Sequence, residues 1–68
     1  MKTIKLSNKE IQMRKPKVLD LRAIEHIKNE TEQTFMLISN LTGISEGELD
    51  QMGVADFKKL SEGLQSFL

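Results

Sequence analysis

No cysteine occurs in the 68 residues, which excludes a disulfide scaffold and thiolate chemistry and fits a reducing compartment. A chain this short buries only about 60% of the surface its unfolded form exposes. With no staple its core is modest, so self-association or a larger partner is expected to support it. No stretch approaches the ~18 apolar residues of a membrane span. The start, Met1-Lys2-Thr3-Ile4-Lys5-Leu6, alternates where a secretory signal needs an apolar run of about 7–15 residues. The four glycines are scattered, so there is no phosphate-cradling loop. The one histidine, His26, lies between Glu25 and Ile27 and reads as a solvated or half-buried side chain. Glu46, Glu48 and Asp50 are close together but lack the glycine-kinked spacing of a calcium loop. Ser45, Ser61 and Ser66 have no base placed near them in sequence. No catalytic residue, metal ligand or cofactor site is expected, and the chain does not read as an enzyme.

Net charge is zero, yet the halves differ. Residues 1–28 hold eight Lys or Arg against three acids, a balance of +5; residues 29–68 hold two against seven, a balance of −5. The halves are expected to fold together and neutralise each other. The alternative is head-to-tail self-association, or docking of a charged partner, guided by the split.

What is present is organised around Asn40–Leu49. Gly43 suits the left-handed position that closes a helix, with Ile44 packing back on the turn just ended. Ser45-x-x-Glu48 is a capping box, and Ile44 with Leu49 is the matching hydrophobic staple. One helix stops there, the chain reverses, and another starts.

Upstream, residues 3–14 read as a β-hairpin. An Asn8-Lys9 turn would pair Leu6 with Ile11 and Ile4 with Met13, with all four on one face. Pro16 ends the strand. A first helix is expected over about 18–28, with Leu19, Ala23 and Ile27, flanked by Leu21 and Ile24, on a broad apolar face and Asp20 in the first turn. Residues 28–34 hold no apolar side chain, and Asn29-x-x-Glu32 offers a second capping box, so a break is read there. A single bent helix is the alternative. The next helix, about 30–42, carries Phe35, Ile38 and Leu41 on one face. Met36 and Leu37 lie beside them, and at least one of these must face something other than the core. Helices over about 46–52 and 54–67 complete the chain, the last with the stripe Val54, Phe57, Leu60, Leu64, Phe67. The expected architecture is α+β, mostly α: an N-terminal two-stranded β-hairpin packed on a small bundle of three to four helices, in a single domain over 1–68.

Residues 35–52 look like a helix-turn-helix, and a small DNA-binding regulator is one reading. Its second helix offers Glu46, Glu48, Asp50 and Gln51 with no Lys or Arg, so Coulomb repulsion opposes docking on a polyanion. What remains is interaction through apolar surface. The terminal Phe67-Leu68 pair needs something to hold it. Together with Met36, Leu37, Phe57 and Leu64 it marks the candidate partner-binding set, suited to helical or partly unfolded chains.

Three segments also carry a resemblance when taken in order. They are the hairpin followed by Arg14-Lys15-Pro16-Lys17-Val18-Leu19-Asp20-Leu21-Arg22, then Leu41-Thr42-Gly43-Ile44-Ser45 with Glu48-Leu49, then Met52-Gly53-Val54-Ala55-Asp56-Phe57 and the closing amphipathic helix. The chain resembles the small tail assembly chaperones of contractile-tailed Mu-like and P2-like phages and prophages, over nearly its whole length. It departs from them in lacking a glycine in the hairpin turn and in its short polar linker around Asn29. The resemblance implies a non-catalytic role in the host cytoplasm: binding the long helical tape measure protein, keeping it soluble and helping to recruit tail tube subunits. It also implies a family habit of making a longer, frameshifted product, of which this would be the short form or the shared first part. A structural subunit retained in the virion is the further alternative.

Overall fold

An antiparallel ladder opens the chain. The computed structural model, which describes residues 1–68, pairs strand β1 (Lys2–Lys5) with β2 (Glu10–Met13). Four helices follow: α1 (Val18–Ile24), α2 (Glu30–Thr42), α3 (Glu46–Gln51) and α4 (Val54–Gln65). This is the α+β, mostly α class that the sequence predicts.

The register differs from the predicted one. Ile4 faces Ile11 and Lys2 faces Met13, a shift of two residues. A two-residue turn at Asn8-Lys9 requires positive φ there, and no residue other than glycine takes positive φ in this chain. Residues 6–9 instead make a longer connection, in which the Leu6 N–H donates to the Lys9 carbonyl at 2.8 Å. An even shift leaves the sides of the pleat unchanged. Ile4, Leu6, Ile11 and Met13 are therefore all buried, as the alternation demands. The loop is tied down from α4. Both carboxylate oxygens of Asp56 accept from Ser7, from its N–H at 3.1 Å and its hydroxyl at 2.8 Å.

The central turn follows local rules closely. Gly43 has φ 81°, and its N–H donates to the Ser39 carbonyl at 2.8 Å. The Ser45 hydroxyl accepts from the Glu48 N–H at 3.2 Å and starts α3. The reciprocal arm of the capping box is not made; the Glu48 carboxylate turns toward Lys9 instead, at 3.9 Å. Ile44 and Leu49 are both buried.

Below the turn lies a core of twelve aliphatic side chains drawn from the hairpin, every helix and the central turn. Met13, Ile38, Leu60 and Leu64 are its most enclosed members. All three phenylalanines, with Met36 and Met52, pack against its rim and stay partly exposed. Phe35 and Phe57 meet across α2 and α4 with ring centroids 4.8 Å apart. Where the hairpin crosses α4, the helical residue is Gly63, and a Cβ there would lie 3.2 Å from Ile4 Cγ1 and closer still to Cδ1.

Candidate partner-binding surface

The position of α1 decides which apolar residues reach solvent. The predicted helix runs to about residue 28 and faces inward through Leu19, Ala23 and Ile27, flanked by Leu21 and Ile24. Of these, Ile24 is in the core and Ile27 packs against it, while Leu19, Ala23 and Leu21 are exposed. The observed helix ends at Ile24 and buries Asp20 and Ile24. Leu19 is 73% exposed, Val18 72% and Leu21 45%. Residues 20 and 24 share a face about 100° round the helix from the Leu19–Ala23 stripe, so α1 is turned away from its apolar side.

Two sets of hydrogen bonds cause this. The Asp20 carboxylate accepts from Arg14 Nη1 at 2.9 Å, Arg14 Nη2 at 2.8 Å and the Lys17 N–H at 2.7 Å. A paired, fully bonded carboxylate can be buried without an unsatisfied oxygen. Its pKa is lowered to about 2, chiefly by the Arg14 hydrogen bonds and next by the Lys17 N–H, and Arg14 is raised in return. At the other end, Gln33 Nε2 donates to the carbonyls of Ile24 at 3.4 Å and Ile27 at 2.5 Å. These bonds supply the partners that end a helix. Asn29 then opens α2 by accepting from the Thr31 and Glu32 N–H groups at 2.9 and 3.2 Å. The break between the helices is real, with no bent continuous helix.

Leaving Val18 and Leu19 in water forgoes about 1.5–3 kcal/mol for each aliphatic side chain that could have been buried. Sequence reading missed them as surface residues. The available signal was Arg14 upstream of Pro16 with Asp20 and Ile24 at helical spacing: a carboxylate with a cation six residues before it can occupy an inward position.

The six residues expected to meet a partner divide by depth. Leu37 and Leu64 lie in the core, at 5% and 2% exposure. Met36, Phe57 and Phe67 are half-buried at its rim. Leu68 stands largely in solvent. The C-terminal turn that carries the last two is hydrogen-bonded, Phe67 N–H to the Leu64 carbonyl and Leu68 N–H to the Gln65 carbonyl, both at 3.0 Å.

Charges of the two halves stay mostly apart. Direct pairing between them is limited to the exposed Lys9–Glu48 contact at 3.9 Å. Arg14–Asp20, the other ion pair, lies within the basic half. No three His, Cys, Asp or Glu side chains are grouped so as to hold a metal ion.

Residues 3–68 match the family model described as phage tail assembly chaperone proteins, E, or 41 or 14. The chain belongs to the phage tail assembly chaperones. No curated protein matches it, and no solved structure does. In this tail assembly chaperone the candidate interaction surface thus has two parts: the outer side of α1, and the rim residues Met36, Phe57 and Phe67 with Leu68.

Proposed function

We propose that this chain acts as a non-catalytic assembly chaperone in the host cytoplasm, binding the tape measure protein and assisting assembly of the tail tube around it. The observation that carries this reading is the family match across residues 3–68. The fold supports it through what it leaves uncovered. An aliphatic core supports a rim of phenylalanine and methionine, side chains that adapt to varied apolar partners. Met36, Phe57, Phe67 and Leu68 make the contact, with Leu37 and Leu64 shaping the surface from beneath. Reversible coverage of a partner's apolar helical stripe gains ~25 cal/mol per Å² of area removed from water, offset by lost freedom on association. That balance suits a partner later released to its own subunits.

Co-expression with the tape measure protein, followed by soluble pull-down, tests this. Soluble tape measure protein that co-purifies only when this chain is present is the expected result. A tape measure protein that stays insoluble and unbound contradicts it. Stoichiometric recovery of this chain from purified virions would mark a structural subunit instead.

A further inference from the structure

We propose that the outer side of α1 is a docking site for an acidic amphipathic helix of a partner protein, separate from the rim and C-terminal residues assigned above. Three observations converge on it. First, Val18, Leu19 and Leu21 are the exposed aliphatic residues of one short helix, 72%, 73% and 45% accessible, with Val18 between the two leucines on the helix surface. Together they present on the order of 300 Å², within the size range at which apolar patches on monomers are often functional. Second, the exposure is built in. Arg14, Lys17 N–H and Asp20 fix the helix with a carboxylate inward and its leucines outward, where a rotation of about 100° would have buried Leu19. Third, the patch is rimmed mainly by cations, with Glu25 the one exposed acid on the same face. Lys15, Lys17 and Arg22 are all exposed, and neither ion pair of the chain uses them.

The rim selects the occupant. A second copy docking α1 against α1 would set these cations against one another, a like-charge contact that disfavours the pairing. The acidic surface of a second copy, on α3, carries Glu46, Glu48 and Asp50 with Leu49 buried, and the exposed Val54 that follows is a single side chain, not a stripe. An apolar stripe flanked by Asp or Glu satisfies both the leucines and the cations. A helix supplies such a stripe at spacings of three and four residues.

The test uses the full chain and two labelled helical peptides that share one leucine stripe, flanked in one by Glu and in its twin by Lys. Fluorescence anisotropy should show the acidic peptide binding at least about tenfold more tightly than the basic one. Val18→Ser with Leu19→Ser should weaken it about tenfold, with helix content by circular dichroism unchanged because both side chains are already in water. Lys17→Glu with Arg22→Glu should reverse the preference between the twins. Phe67→Ser with Leu68→Ser should leave acidic-peptide binding as it was. Equal affinity for the twins, no binding of either, or loss only in the Phe67/Leu68 variant would overturn the proposal. So would duplex DNA that displaces the acidic peptide, or a dimer dissolved by Leu19→Ser. Co-solubility of the tape measure protein is read separately, so either idea can fail alone.

Discussion

The Arg14 guanidinium grips the Asp20 carboxylate with two parallel hydrogen bonds, Nη1 to Oδ2 at 2.9 Å and Nη2 to Oδ1 at 2.8 Å. This pair joins the end of the hairpin to the first turn of α1 across Pro16. It orients α1, and through α1 it decides which leucines meet water. Arg14 is tied in twice, since its N–H also donates to the Leu41 carbonyl at 3.1 Å near the end of α2.

Removing the carboxylate should therefore loosen α1 before it unfolds the rest. Asp20→Ala leaves Arg14 without its partner and the Lys17 N–H without an acceptor, at a cost of about 2–3 kcal/mol. Asp20→Asn keeps the shape and an acceptor for the Lys17 N–H but loses the charge, and should cost about half as much. Urea denaturation gives the totals, and amide exchange locates the loss. Faster exchange in α1 than in α2 is expected. Uniform loss of protection would show that α1 and the bundle open as one.

The same pair sets an acid limit. Asp20 titrates near 2 in the folded chain against an ordinary 3.8. As pH falls through this window the unfolded chain takes up the proton first, so stability falls with it. The contribution is complete above about pH 4 and is lost as pH drops toward about 2. Melting temperatures of wild type and Asp20→Asn should converge across that interval. Parallel curves would mean that the carboxylate gains nothing from its charge in the folded state.

Gly63 should resist the substitution that usually helps a helix. Alanine normally improves on glycine inside a helix by about 1 kcal/mol. Here the new methyl would press on Ile4, whose Cγ1 is 3.2 Å away and which is buried in the core. Gly63→Ala is expected to destabilise by about 1–2 kcal/mol. Ile4→Val removes the Cδ1 atom in the way, so the double variant should recover part of that loss. A coupling energy near zero in this cycle would show that the hairpin simply shifts aside.

How far the sequence discloses this molecule depends on the range of the interactions involved. The Gly43–Ser45 corner was legible because a left-handed glycine, an N-cap serine and a staple act within ten residues. The buried side of the hairpin was legible from the alternation of Ile4, Leu6, Ile11 and Met13. Its register was not, because nothing in Ser7-Asn8-Lys9 demands one turn geometry and Asp56, forty-nine residues away, pins the loop. The face of α1 was misread for a similar reason. Leu19 and Ala23 extend the apolar face that Ile24 and Ile27 keep inward, and only Arg14 on the preceding segment makes it favourable to bury Asp20 in their place. In the candidate surface, Leu37 comes from the surplus of the apolar run Phe35–Ile38 and Leu64 from the stripe of α4; both lie in the core, a depth that neither pattern discloses.

The most direct measurement follows the solubility of purified tape measure protein diluted from denaturant, by light scattering, with this chain added in increasing ratio. Wild type should suppress scattering in proportion to the amount added. Phe67→Ser with Leu68→Ser should suppress it far less while keeping its circular dichroism spectrum. Scattering that is unchanged by the wild-type chain, or suppressed equally by the double variant, would contradict capture of the tape measure protein through this apolar surface.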